Sequence, residues 1–352
     1  MLFRNPFGSI RIATLFMIAL AAWVGNSQAA NADPLEVVTT TPNLAALVEA
    51  VGGSDVRVHS LARPGVDPHF VEARPSFIRL LHSADLLAVV GLDLGAGYIP
   101  ALVSQARNSQ IQPGQPGYFD ASVGVNKIVP ARSGVMARAL GDVHPLGNPH
   151  YLNDPVEGLR VARRLAERLS QIAPGSRSSF EKNYLSFRDE LLSNLYGAEA
   201  VKTVGGRDLA TASFEGPASA ARLLASKSVQ PAGWELQSKG YSQAAFVADH
   251  NLWPYFARRF GLRQAALLEP FPGVTPTTRH LQKVISQMQE QDIRLILSST
   301  YFRDQYAKKV ARETDAHIAR MTDQVGVDKN ATSYIEMIAA NLNSVTTALA
   351  GP

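Results

Sequence analysis

Apolar and polar positions fall along this chain in blocks of two kinds. Leu35-Glu36-Val37-Val38-Thr39-Thr40 is a short β-branched run that reads as a buried strand, and Asn43 caps a helix that continues to about Val51. Val56 to Leu61 reads as a strand, Ser76 to Ser83 as a short amphipathic helix, and Asp85 to Val90 as another buried strand. Strands parted by helical blocks predict parallel βαβ units with helices on both faces. From Ser104 to Pro149 the periodicity fades into Gly, Pro, Ser and Asn, a loop-rich end to the first unit. Asp154-Pro155 then opens a helix to about Ile172, with proline at its first helical position. Ala173-Pro174-Gly175 breaks it, and Ser178 to about Lys202 reads as a second long helix. At 1.5 Å per residue it spans roughly 37 Å, which suits a connector. Ala244–Asp249, Ala265–Glu269, Ile293–Ser298 and Ala316–Met321 read as four further buried strands. They alternate with helices near Leu252–Phe260, Thr278–Gln291, Arg303–Thr314 and Ala331–Leu349. The pattern is that of an α/β protein of two halves joined by a long helix.

The 352 residues carry 46% hydrophobic and 18% charged positions, too apolar for a disordered chain and too long for one small core. Residues 1–30 read as a signal peptide. Arg4 and Arg11 precede the uncharged run Ile12–Gly25, and small residues follow at Ala29-Ala30. That run is short of the ~20 residues needed to span a bilayer. The expectation is a cleaved leader and a soluble, periplasmic protein. With no cysteine in the chain, disulfides, CxxC metal ribbons, thiol nucleophiles and a lipid-modified N-terminal cysteine are excluded, so the expected protein is not a lipoprotein. Setting the two leader arginines aside leaves 32 basic residues against 30 acidic ones, with no Lys/Arg run, so no nucleic-acid partner is expected.

Eight histidines are the main source of candidate chemistry. A lone histidine is usually a surface or hydrogen-bonded structural residue, and His59, His82, His280 and His317, which fall in strand or helix bodies, are read so. His69 follows Gly65-Val66-Asp67-Pro68 in a loop after a strand, His150 stands just before the Asp154-Pro155 helix start, and His250 ends the run Ala245–Asp249. Asp323 lies just past the strand ending at Met321. In open α/β sheets, ligands gather beyond the carboxyl ends of the strands. Four polar groups at such ends, two from each half, could converge in a cleft between the halves. Three imidazoles and a carboxylate suit Zn²⁺, and Mn²⁺ or Fe²⁺ with a bidentate carboxylate. The gaps of 81, 100 and 73 residues carry no local ligand-spacing logic, so incidental structural histidines remain open on this ground.

Ordered motifs add to this. Val37–Asn43, Val51-Gly52-Gly53, Gly65–His69, Ala73–Ser76, and Ala84-Asp85-Leu86 leading to Gly91-Leu92 resemble the opening of the zinc- and manganese-binding solute-binding proteins of ABC importers. Pro149–Pro155 resembles that family's second-ligand motif. Asp249-His250 with Tyr255–Leu262 resembles its third, and Met321-Thr322-Asp323 with Ser333–Ile338 and Asn341 its fourth and closing helix. The resemblance covers about Val37 to Leu349.

The resemblance implies two (βα)₄-like lobes with mainly parallel sheets joined by a long rigid backbone helix. A lobe over residues 34–175, a linking helix over 176–203 and a lobe over 204–352 follow from it. It places a divalent metal on His69, His150, His250 and Asp323, with Zn²⁺ preferred and Mn²⁺ or Fe²⁺ as the alternative. It also implies delivery to the membrane permease of an ABC importer by a non-enzymatic monomer, and leaves room for a periplasmic metallochaperone. Three departures from the family's pattern stand out. Ser104 to Asp142 holds no histidine where zinc importers often carry a His-rich loop, so His144 stands as its remnant, a transient acceptor or an alternative second ligand. His150 is preferred because the helix start follows it. Val204 to Tyr241 is longer than shorter members need, and its Gly233-Trp234 resembles a zinc subgroup. The Asp249 and Asn251 neighbours leave the orienting partner of His250 open. An exported zinc hydrolase is the rival class, with Glu72 as its imaginable base, but HExxH and GxSxG motifs are missing.

Overall fold

Val37 and Val38 are adjacent in sequence yet belong to different apolar clusters, and the same alternation of faces sets the whole architecture. The computed structural model describes residue 1 and residues 33–129, 144–270, 274–300 and 303–351. Apart from its first residue, the expected signal peptide lies outside the described residues. From Leu35 onward the chain holds together as one body.

Strand β1 (Leu35–Thr39) lies between β2 (Val56–Ser60) and β3 (Leu86–Val89), and β4 (Tyr118–Asp120) pairs with β3. In the second lobe β5 (Ala245–Ala248) lies between β6 (Arg263–Leu267) and β7 (Leu295–Ser299), with β8 (His317–Met321) beside β7. Every pairing is parallel. The two sheets share one winding order, which sets the carboxyl ends of their central strands at comparable positions. Both faces of such sheets are covered, so the strands read as continuous apolar runs. Leu87 and Val89 pack outward with α2 (Pro75–Ser83) and α3 (Ile99–Ala106). Val247 and Ile296 pack outward with α11 (Thr278–Glu290) and α12 (Gln305–Thr314). The inner faces of both sheets join one continuous core. It includes Val37, Leu86, Phe246 and Leu295, with α1 (Pro42–Gly52), α4 (Pro155–Ile172), α5 (Arg177–Tyr196) and α13 (Tyr334–Ala350).

The expected long helix stops early. At Gly197 the backbone takes φ +94, a conformation that L side chains rarely adopt, and the chain restarts as α6 (Ala198–Val204). Between it and β5 stand three further helices, α7 (Gly206–Glu215), α8 (Pro217–Ser226) and α9 (Gly233–Lys239). Trp234 is buried there as a packing residue.

Polar cross-links bind the halves. Asp154 caps α4 through Val156 N–H and also receives Arg259, on α10 (Pro254–Phe260), at 2.8 and 3.3 Å. Both side chains are almost fully buried, 0% and 4% exposed. Burial alone would depress the Arg259 guanidinium, but the charge and hydrogen bonds of Asp154 outweigh it and raise its pKa. Tyr255 Oη donates to Asn148 O, Asn153 Nδ2 to Leu252 O, and Tyr334 Oη to Leu152 O. Gly158 is required beside the last of these, since a Cβ there would run into the Tyr334 phenol.

Arg259→Met strips Asp154 of its buried counter-charge. The expected cost is about 3–5 kcal/mol, read as a lower unfolding free energy in urea. A loss below about 1 kcal/mol would show that the pair is not what joins the halves.

Candidate metal centre

Each candidate side chain sits where a strand or loop ends, held by a local hydrogen bond. His69 lies in a 3₁₀ turn, Pro68–Phe70, in the loop beyond β2, and Asp67 Oδ1 accepts both its backbone N–H (3.0 Å) and its ring Nδ1 (2.6 Å). That leaves Nε2 turned inward. His150 opens the 3₁₀ turn His150–Asn153 ahead of α4, its backbone N–H bonded to Asn148 Oδ1. His250 follows β5. Asp249 bridges its N–H (2.8 Å) and that of Ser299 (2.7 Å), and burial pushes the Asp249 carboxyl up to about 6 despite those bonds. Asp323 lies two residues past β8, in a loop clamped at Thr322 N and O by the Asn341 amide (2.8 and 2.6 Å).

Asn43 corrects the sequence reading. Thr41 is the N-cap of α1 with Pro42 after it, and Asn43 lies inside the first turn. Its amide instead crosses to the second lobe, donating to Asp323 O (2.6 Å) and accepting from Val325 N–H (2.8 Å). No side chain caps this helix; Pro42, lacking an N–H and with φ already near the helical value, starts it.

The structure brings His69, His150, His250 and Asp323 together. Ring centres lie 5.5 Å apart for His69 and His150, 6.3 Å for His69 and His250, and 6.3 Å for His150 and His250. Asp323 Oδ2 is 3.9 Å from His150 Nδ1. A fifth group joins them. His144 Nε2 stands 3.1 Å from His69 Nε2, with the rings 5.1 Å apart. All five side chains are buried. The neighbouring cavity measures about 30 Å³ and is lined by Thr41, Asn43, Pro68, His150, Asp323 and Gln324. That is room for an ion or a water rather than an organic substrate.

Imidazole and carboxylate are donor types that suit a borderline dication, and here the rings stand wider than a bound ion would hold them. Zn–N bonds of about 2.0–2.1 Å at tetrahedral angles put imidazole centres roughly 5 Å apart. No group of three or more His, Asp or Glu among the described residues already stands at the spacing of a bound ion. Three of the rings have the outer partner that metal-binding imidazoles use to fix ring orientation. These are Asp67 for His69, Leu92 O for His144 (2.9 Å) and Glu269 Oε2 for His250 (3.0 Å). Glu269 is the residue the sequence reading lacked. It sits two positions beyond β6, and only the pairing of β5 with β6 places it beside His250.

Other candidates stay outside. Glu72 is exposed and pairs with Arg74. His82 and His280 bond to the carbonyls of Ala106 and Leu267.

Comparison with known proteins agrees in fold and class. The profile of the family described as "Zinc-uptake complex component A periplasmic" matches residues 37–208 and 230–348. The manganese ABC transporter substrate-binding lipoprotein PsaA of Streptococcus pneumoniae is 22% identical over 96% of this chain and 96% of its own. The metal ABC transporter substrate-binding lipoprotein FimA of Streptococcus parasanguinis matches equally, 22% over 96% of each chain. A crystal structure of ZnuA superposes with a TM-score of 0.65 at 19% identity, over 90% of this chain and 99% of that one. A Mn-bound periplasmic metal-binding protein of candidatus liberibacter asiaticus gives 0.63 at 17% identity, over 88% and 97%. The expectation of a periplasmic protein that is not a lipoprotein is corrected by these names. Relatives aligned over nearly the whole chain are lipoproteins of streptococci. That expectation leaned on the leader and the missing cysteine, features of one chain's processing. An outward-facing location is what remains consistent.

Glu269→Ala removes the acceptor that orients His250. A loss of about 10–100-fold in divalent-metal affinity is expected, measured by competitive titration against a chromophoric chelator. Unchanged affinity would leave Glu269 a bystander.

Proposed function

The chain belongs to the ZnuA family of metal-binding solute-binding proteins of ABC importers, and we propose that it captures one divalent cation, zinc in preference to manganese, on His69, His150, His250 and Asp323. The observation carrying this reading is the gathering of buried imidazoles and one carboxylate at loops contributed by both lobes. In this reading the cation is cargo, released to the importer's membrane permease, and the protein catalyses no reaction on it.

Zinc is favoured by chemistry. Nitrogen-rich sites bind more tightly toward the upper end of the Irving–Williams order, where zinc stands well above manganese. Manganese is the second reading, supported by relatives named for it. Imidazole binds a cation only through a deprotonated nitrogen, so protons compete for the same lone pairs. Loading also stabilises the fold by mass action, since the unfolded chain has no assembled site.

Competitive titration is expected to give one zinc per protein, held far more tightly than manganese. Manganese binding at least as tight as zinc would overturn the preference but leave cation capture standing. Zinc affinity is expected to fall as the pH is lowered, because protons compete for the ligating nitrogens. Affinity that does not change as the pH falls to strongly acid values would exclude imidazole ligation.

A further inference from the structure

His144 stands six residues ahead of His150, outside the four-residue set, yet it is buried against His69. Its Nδ1 lies 2.9 Å from the carbonyl oxygen of Leu92. A backbone carbonyl only accepts, so the ring proton sits on Nδ1 and a neutral His144 presents a lone pair at Nε2. His69 is fixed in the same sense, because its Nδ1 donates to the Asp67 carboxylate. The two Nε2 atoms lie 3.1 Å apart, with the ring centres 5.1 Å apart. Neighbouring ligands on one ion, with bonds of about 2.0–2.1 Å, are separated by roughly 2.9–3.4 Å from octahedral to tetrahedral angles. The observed separation is such a bite.

The backbone that aims His144 is itself unusual. Gly91, Leu92 and Asp93 all adopt positive φ (76°, 53° and 66°). Gly91 and Asp93 enter this region readily, but Leu92 does not, and such strain persists where surrounding structure over-determines it. Here the turn presents the Leu92 carbonyl to the buried His144 ring.

We propose that His144 is a direct ligand of the captured ion, paired with His69, so that the centre offers four imidazoles and the Asp323 carboxylate. The proposal rests on the cation-capture reading above. A set so rich in nitrogen places the His69–His144 pair among the determinants of zinc-over-manganese choice.

The test uses the full chain and Zn²⁺ or Mn²⁺ alone. Zinc K-edge absorption of the loaded wild-type protein is expected to show four imidazoles, and His144→Ala one fewer. Zinc affinity is expected to fall at least tenfold in His144→Ala and in His144→Gln, with a smaller change for Mn²⁺. The Gln variant and circular dichroism of the metal-free proteins separate ligand loss from misfolding. If wild type binds zinc through three imidazoles or fewer, or if both variants keep wild-type zinc affinity, His144 is no ligand and cation capture stands. If wild type takes up neither ion, the capture reading and this proposal fall together.

Discussion

Ligands borne on two different sheets meet at one point only if those sheets cannot slide past each other. The buried Asp154–Arg259 pair enforces this most directly. Asp154 caps the helix that follows His150, and Arg259 belongs to the helix that follows His250. One carboxylate thus ties the loops of two candidate donors. Asn43 does the same between the start of α1 and the Asp323 loop, and Tyr334 between α13 and the turn carrying His150. Each link is a hydrogen bond in a water-poor interior, where losing one partner costs more than the bond itself contributed. The shared inner core then adds the nondirectional part of the grip.

Much of this was legible in the amino-acid order. The alternating apolar runs located β1, β2, β3 and β5 to β8 within a few residues, because strands buried on both faces are apolar throughout. The three-residue β4 and the helix α3 were not recovered, being short and set in or beside a Gly- and Pro-rich stretch. Helices α7, α8 and α9 were not legible either; they fall in the Val204–Tyr241 stretch, whose extra length alone predicts no element. The candidate donors His69, His150, His250 and Asp323 were found from their places at strand and loop ends, and the structure gathers them. Asn43, Glu269 and Leu92 O were not legible, since their roles depend on sheet register or on a backbone carbonyl. Period and propensity carry no record of either. His144 carried a signal, the closely spaced pair with His150, but nothing local said that its ring would turn toward His69.

Orientation of the donors is arranged one shell outward from them. Asp67, Leu92 O and Glu269 each take the far proton of an imidazole, so three rings present their other nitrogen as an acceptor before any ligand arrives. The centre is therefore ordered by acceptors rather than by the donors themselves. Substituting a residue that never touches the cleft interior would free one that does to rotate.

The core common to both sheets has a kinetic meaning. Two lobes with separate interiors can part like jaws, and a guest then escapes at the rate of hinge opening. Lobes that own a single interior cannot separate without exposing Val37, Phe246 and Leu295 together. Exchange of an ion at the candidate centre would instead proceed through small excursions of the short turns bearing the candidate donors. Residence time becomes a property of those few peptide units, largely decoupled from how strongly the body as a whole resists unfolding.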